Sequence, residues 1–186
     1  MGSARFKILA ALLVLALLSG CASASVLTIP NILTLEYPDE WKDFGADDSD
    51  DVENEYYNLG FIGGRGATDL NICLDLNYLE QFADFRLFDG DDQIAQDFAS
   101  WLINDYENGK LLQIRRVGAH EIPFVILKIQ DSYGPSYVAE TLTNGWDLSL
   151  TAYAYTDSSY DVSRELTSED LATFLAVVDS IEPIVN

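Results

Sequence analysis

The fold is decided by residues 136–155, which read SYVAETLTNGWDLSLTAYAY. Asn144 and Gly145 divide this stretch into two runs rich in aromatic and aliphatic residues. An Asn-Gly pair accepts the positive φ angles of a two-residue hairpin turn, so it favours two adjacent antiparallel strands. Within the second run Tyr153 and Tyr155 share one face, because side chains alternate along a strand. The predicted strands are Ser136–Thr143 and Trp146–Tyr155.

Further strands are predicted upstream of this hairpin. Leu70, Ile72 and Leu74 alternate with polar residues, which is the two-residue period of a half-buried strand. The connections between most of the predicted strands are short, and short connections favour antiparallel pairing. The additional strands are Ile32–Tyr37, Tyr56–Ile62, Asp69–Leu76, Leu111–Val117 and Ile122–Gln130.

A helix is predicted in the middle of the chain, where the apolar residues take the period of an amphipathic helix. It begins near Gln93, after acids that suit a helix N-terminus, and Gly109 is its expected cap. We expect Phe98 and Trp101 to be buried against the sheet. The complete apolar stripe is Ile94, Phe98, Trp101, Leu102 and Tyr106.

A second helix is predicted near the end of the chain. Thr167 is a capping residue that is followed by acids, and Pro183 lies where the helical period stops. A shorter helical pattern covers Tyr78–Phe85. The apolar stripe of the closing helix is Leu171, Phe174, Leu175, Val178 and Ile181.

These elements predict a single α+β domain over residues 32–186, in which helices cover a mostly antiparallel sheet of six or seven strands. The domain opens on Leu33-Thr34-Leu35-Glu36-Tyr37-Pro38 with Trp41 shortly after, and its last helix closes on Val178-Asp179-Ser180-Ile181. In these motifs, and in the order and spacing of its elements, it resembles the PsbP-like superfamily. The resemblance implies an α/β/α sandwich whose relatives are mostly interaction proteins rather than enzymes. It assigns no site residues to this chain.

Residues 1–21 have the pattern of a bacterial lipoprotein signal. A short cationic start precedes Ile8–Leu18, an uncharged apolar run that suits a signal peptide and is too short to span a bilayer. The run ends in Leu18-Ser19-Gly20-Cys21, which resembles a lipobox. The resemblance implies cleavage before Cys21 and a diacylglycerol thioether on its sulfur. The alternative is an ordinary secretory signal that is cut near Ala22 or Ala24.

The lipoprotein interpretation divides the chain into a signal peptide at 1–20, a tether at 21–31 and the folded domain at 32–186. Cys21 is then the lipidation site, and its acyl chains hold the protein on the membrane. We expect a monomeric protein that is lipid-anchored outside the cytoplasm, on the cell membrane or the outer membrane.

The charge of the chain is strongly negative. Ten Lys and Arg oppose 31 Asp and Glu, for a formal charge of -21 at pH 7 and a pI near 4.1. This balance excludes a basic nucleic-acid binder, because phosphate contacts need a cationic face. Asp47–Glu55 and Asp89–Asp92 are acidic runs without the ligand spacing of an EF-hand, so we expect solvated loops rather than a calcium site. The sequence predicts no metal and no cofactor.

Nucleophilic catalysis would depend on His120, the only histidine, and on Cys73. His120 precedes a strand, whereas Cys73 lies within one, so we expect a turn histidine and a structural cysteine. Gly60–Gly66 does not match a phosphate-binding loop. Acid pairs suited to glycoside hydrolysis carry no information, because 31 acids always provide such a pair. No catalytic residue is predicted.

Tyrosines gather in the last strands and their loops. Such a cluster suits a contact surface for proteins or glycans, and it equally suits ordinary packing by residues that favour strands. Its members are Tyr133, Tyr137, Tyr153, Tyr155 and Tyr160.

Two functions follow from the sequence. The first is a non-catalytic envelope lipoprotein, an interaction or accessory module that meets an unknown protein partner from a membrane tether. The alternative is a lipid-anchored hydrolase that uses carboxylates in the cell wall. Two acids that converge on one cleft would favour the hydrolase.

Overall fold

The computed structural model describes residues 24–29, 31–39, 41, 69–85, 92–106, 108–131, 134–155 and 163–183. Several predictions lie outside these residues, namely lipidation at Cys21, the strand Tyr56–Ile62, the acidic run Asp47–Glu55 and the glycines of 60–66. The elements are β1 (Ala24–Ile29), β2 (Leu33–Pro38), β3 (Asp69–Tyr78), a 3₁₀ turn (Glu80–Phe82), α1 (Asp92–Asp105), β4 (Lys110–Val117), β5 (Ile122–Asp131), β6 (Gly134–Thr143), β7 (Trp146–Tyr155), α2 (Ser168–Asp179) and β8 (Glu182–Pro183).

The larger sheet has five antiparallel strands in the order β3-β7-β6-β5-β4. The predicted hairpin is confirmed: Thr143 pairs with Trp146 across the β6–β7 turn. Asn144 and Gly145 take φ angles of 51° and 79°, the left-handed region that this turn requires. The shorter helical pattern at residues 78–85 proves to be the end of β3 followed by the 3₁₀ turn.

A second sheet has three strands in the order β1-β2-β8. The expectation of one sheet with six or seven strands is therefore not met by the described residues, although the α+β class is correct. Residues 24–29, which the composition placed in the tether, form β1 and pair along the length of β2. Leu33 and Leu35 of β2 are buried in the core shared with the larger sheet. The alternation of apolar residues predicts that one face of a strand is buried. It does not show whether that strand belongs to the main sheet or to a second sheet packed on it.

Hydrophobic clusters cover both faces of the larger sheet. On one face, α2 and the smaller sheet bury Phe124, Ile126 and Ala139, and the ring of Tyr137 stacks on Phe174 with centroids 6.1 Å apart. On the other face, α1 packs on the alternate residues of the same strands, which are Val125, Leu127, Ile129 and Val138. The two helices therefore lie on opposite faces of the sheet.

The prediction for α1 was wrong in one respect. Trp101 is 57% exposed and Ile94 is 40% exposed, whereas Ala95, Ala99 and Leu102 are buried. Small Ala side chains let the helix approach the sheet closely, so Ala95, Ala99 and Leu102 form its inner stripe. The left-handed residue after the helix is Asn108, with φ 64°, instead of the expected Gly109.

The start of α2 is confirmed as a capping box. The Thr167 hydroxyl accepts a hydrogen bond from the Asp170 amide, and the Asp170 carboxylate accepts one from the Thr167 amide. Arg164 also donates two hydrogen bonds, of 2.7 and 2.8 Å, to the two carboxylate oxygens of Asp170. Burial raises the pKa of Asp170, but Arg164 and Thr167 outweigh it and hold the pKa at about 2.

Candidate functional site

A pocket opens beside the outer face of α1. Its volume is about 410 Å³, within the range of small-molecule sites. One wall is α1, the opposite wall is the segment that follows β3, and residues of the β6–β7 hairpin complete the lining. The described residues that line it are Leu79, Phe82, Phe85, Ile94, Asp97, Phe98, Trp101, Leu142 and Asp147.

The α1 wall consists of the apolar residues that the sheet does not cover. The rings of Phe98 and Trp101 stack with their centroids 5.9 Å apart. Phe98 is also packed on its inner side against the sheet cluster, whereas Trp101 is largely exposed. The helix thus has two apolar stripes. Ala95, Ala99 and Leu102 face the sheet, and Ile94, Phe98 and Trp101 line the pocket.

The opposite wall is fixed to the β6–β7 turn by backbone hydrogen bonds. The Leu79 amide donates to the Gly145 carbonyl at 2.7 Å, and the Asn144 amide donates to the Phe85 carbonyl at 2.9 Å. A Cβ on Gly145 would lie 2.8 Å from the ring of Tyr78, so glycine is required for this close approach as well as for its φ angle. The hairpin turn therefore positions Phe82 and Phe85 at the pocket.

A cluster of carboxylates lies on the sheet behind the pocket. Ser149 on β7 pairs with Asp75 on β3 and with Glu140 on β6, which places the three side chains in one row across the sheet. Asp147 lies two residues before Ser149 on the same face, diagonal to both acids. It pairs directly with Leu142, and these two residues both line the pocket.

Burial and neighbouring carboxylates raise the pKa of two of these acids, Glu140 and Asp147. Burial, followed by the charge of Asp147, raises the pKa of Glu140 to about 7. Burial, followed by the charge of Asp75, raises the pKa of Asp147 to about 6. The hydroxyl of Tyr106, just after α1, donates a 2.9 Å hydrogen bond to Glu140 Oε2. This hydrogen bond lowers the pKa of Glu140 and so opposes part of the increase. Glu140 is only 6% exposed, and Asp147 is the acid of this cluster that lines the pocket.

Asp97 is the second carboxylate of the pocket. It lies on the exposed face of α1 and accepts a 2.8 Å hydrogen bond from Gln93 Nε2. Among the described residues that line the pocket, there are two Asp and no Lys or Arg. The site therefore combines aromatic and aliphatic walls with negative charge.

The arginines of the described segments form ion pairs with aspartates of the two helices. Arg115 forms a bidentate ion pair with Asp179 at the end of α2, and Arg116 pairs with Asp92 at the start of α1. Arg164 pairs with Asp170. The other residues of that acidic run, 89–91, lie outside the described residues. Among the described residues that line the pocket, no arginine pairs with Asp97 or Asp147.

The structure keeps the candidate nucleophile and base apart. Cys73 lies on β3, at one edge of the larger sheet, and His120 lies in the turn between β4 and β5. Three strand spacings separate β3 from β5, about 14 Å, so no Cys-His pair forms. Burial, with a smaller effect from Asp75, raises the pKa of Cys73 to about 11, which keeps its thiol protonated.

The tyrosine cluster is divided between the two faces. Tyr137 is buried under α2, whereas Tyr153 and Tyr155 lie on the other face, with ring centroids 6.4 Å apart. Ala152 and Ala154 are buried beneath them, as the alternation predicted. Tyr133 and Tyr160 lie outside the described residues.

Comparison with known proteins gives no assignment: no family model matches the chain, and no curated protein is significantly similar to it. In the described segments, no three His, Cys, Asp or Glu residues are arranged to hold a metal ion. No helix there is long and apolar enough to cross a membrane.

The residues that define this site were not predicted from the sequence. Glu140 and Asp147 lie in strands at positions whose neighbours on the same face include Val138 and Leu142, and an acid at such a position signals a buried carboxylate. Ile94 and Trp101 were recognised as apolar but assigned to the core. The available signal was the pair Ala95 and Ala99, which supplies a second stripe at helical spacing.

Proposed function

We propose that this protein is a non-catalytic binding module, held outside the cytoplasm by lipid on Cys21, and that the pocket beside α1 is where it engages its ligand. The single observation that carries the binding function is the exposure of bulky apolar groups around one concavity. Trp101, Ile94 and Phe82 line the same pocket and are 57%, 40% and 38% exposed. Exposed apolar groups gathered around one concavity mark binding sites more often than isolated exposed residues do.

The fold assignment belongs to the same proposal. Two helices on opposite faces of an antiparallel sheet support an α/β/α sandwich of the PsbP-like kind. The motif Leu33–Pro38 forms β2, and Val178–Ile181 spans the end of α2. Relatives of that kind are mostly interaction proteins, which agrees with a binding module.

The binding function is tested with a small neutral probe, 3-phenyl-1-propanol, and the full-length chain in lipid nanodiscs. We expect saturation-transfer NMR to detect binding above that of empty nanodiscs. Trp101→Gln should abolish most of that signal, since it removes an apolar wall. Val26→Gln is the matched control, because Val26 is 58% exposed on β1 and does not line the pocket. Equal binding by both variants would contradict the proposal.

The anchor is tested separately. Cys21→Ala should abolish incorporation of labelled palmitate and signal cleavage. Labelling of the variant at the level of the wild type would show that Cys21 is not the lipidation site, and it would leave the pocket test unaffected.

A carboxylate-dependent hydrolase is the second candidate, and one observation favours it. Asp97 and Asp147 line the same pocket, and burial with Asp75 raises the pKa of Asp147 into the range of a general acid. The predominance of apolar lining groups favours binding instead. If the hydrolase is correct, the protein releases soluble fragments from purified cell wall and Asp147→Asn abolishes the release.

A further inference from the structure

We propose that the ligand of this pocket is a small apolar molecule that carries one positive charge, such as an amine on an aromatic or aliphatic body. The inference rests on the proposed binding function and specifies its ligand class. An apolar body is required because seven of the nine described lining residues are apolar.

The positive charge is required by the two carboxylates. Asp147 is at the floor beside Leu142, and Asp97 is on the helical wall. Neither meets a Lys or Arg among the described residues that line the pocket. Arg116, on a strand that α1 contacts, pairs with Asp92 at the start of that helix. A bound ammonium group would therefore supply the charge opposite to that of Asp97 and Asp147.

The acids behind the pocket increase its preference for a cationic ligand. Asp75 and Glu140 pair with Ser149, two residues from Asp147 on the same face of the sheet, so further carboxylates lie behind the floor of the pocket. An anionic ligand would lose its hydration next to these charges, at a cost that no cation among the described lining residues offsets. These acids therefore disfavour ligands that carry a carboxylate or a phosphate, and they favour cationic ligands.

The aromatic walls are suited to the same ligand. Trp101 presents an exposed ring, and Phe98 stacks against it. A cation over the face of a tryptophan or phenylalanine ring is attracted to the π electrons, and the attraction increases as water is removed. The walls can therefore hold both the apolar body and the charged end of such a molecule.

The test compares three probes of the same size: 3-phenylpropylamine, 3-phenyl-1-propanol and 3-phenylpropanoate. Titrations at pH 7.5 use the full-length chain in nanodiscs of zwitterionic lipid, with empty nanodiscs as the blank. We expect the amine to bind about tenfold more tightly than the alcohol, and the carboxylate to bind more weakly than both. Equal affinity for the amine and the alcohol would overturn the cationic ligand and leave the binding function intact. Binding of none of the three would overturn both.

Two variants locate the selectivity. Asp147→Asn and Asp97→Asn keep the side-chain shape and remove one charge each, so each should reduce the amine's affinity severalfold and leave that of the alcohol unchanged. Asp97 is exposed, so its variant remains informative if Asp147→Asn folds poorly. Glu169→Gln, on α2 at the opposite face of the sheet, removes the same charge away from the pocket and should change neither affinity. Loss of amine selectivity in Glu169→Gln to the same extent would show a general charge effect and overturn the assignment.

Discussion

The hydroxyl of Tyr106 donates a 2.9 Å hydrogen bond to the carboxylate of Glu140, and this contact joins the end of α1 to the central strand of the larger sheet. Glu140 is almost completely buried, so Tyr106 supplies part of the stabilisation that water would give to an exposed carboxylate. The contact also holds α1 over the cluster of carboxylates behind the pocket. The position of the pocket wall therefore depends on a buried polar pair.

Glu140→Gln should stabilise the protein at pH 8 and have little effect at pH 4. The folded pKa of about 7 lies above the ordinary value of 4.5, so the unfolded chain releases its proton first as pH rises. Stability is therefore lost between those two values, by about 3 kcal/mol in all, and then stays level. Urea denaturation at several pH values measures the difference between the variant and the wild type. A difference in the free energy of unfolding that stays constant across pH would contradict the burial of a charge at Glu140. Glu169→Gln, at an exposed position of α2, is the control for the loss of one carboxylate.

Trp101→Ala should cost less than about 1 kcal/mol, because a largely exposed ring loses little buried area. Leu102→Ala, at the next position of the same helix, should cost about 2–5 kcal/mol, because Leu102 is 1% exposed. Chemical denaturation measures both. If Trp101→Ala were the more costly change, α1 would be rotated relative to the face described above.

Asp170→Asn should cost about 2 kcal/mol at pH 7, since Arg164 and the amide of Thr167 then lose their charged acceptor. Because the folded pKa is about 2, below the ordinary 3.8, this contribution is present above pH 4 and is lost as pH falls toward 2. Thermal unfolding at pH 7 and pH 2.5 measures it. Asp179→Asn, which breaks an exposed ion pair with Arg115, should cost about 1 kcal/mol or less. Equal losses in the two variants would refute a special role for the capping box.

The sequence predicted the elements better than their arrangement. The hairpin at Asn144-Gly145 and the capping box at Thr167 were predictable because each rests on local backbone geometry that a few residues determine. The division into two sheets was not, because β2 shows the same alternation whether Leu33 and Leu35 face a packed sheet or a helix. The pocket was missed for a related reason. An apolar stripe on a helix does not reveal whether the sheet or a ligand covers it, and the alanine stripe at Ala95 and Ala99 was the only local indication.

The carboxylate row could not be predicted from spacing along the chain. Asp75, Glu140 and Asp147 lie on three different strands, and strand order alone brings them to one face. With 31 acids in the sequence, no particular set of three stands out before that order is known. The overall negative charge of the chain agrees with a cationic ligand.

Fluorine NMR tests most directly whether ligand binds at the pocket. The chain has three tryptophans, so 5-fluorotryptophan gives a small set of resonances that Trp→Phe variants assign. Trp101 lines the pocket, whereas Trp41 packs against the core on the opposite face of the sheet. On titration with 3-phenylpropylamine, we expect a saturable shift of the Trp101 resonance and none of the Trp41 resonance. Saturable binding that leaves the Trp101 resonance unchanged would contradict binding at this pocket.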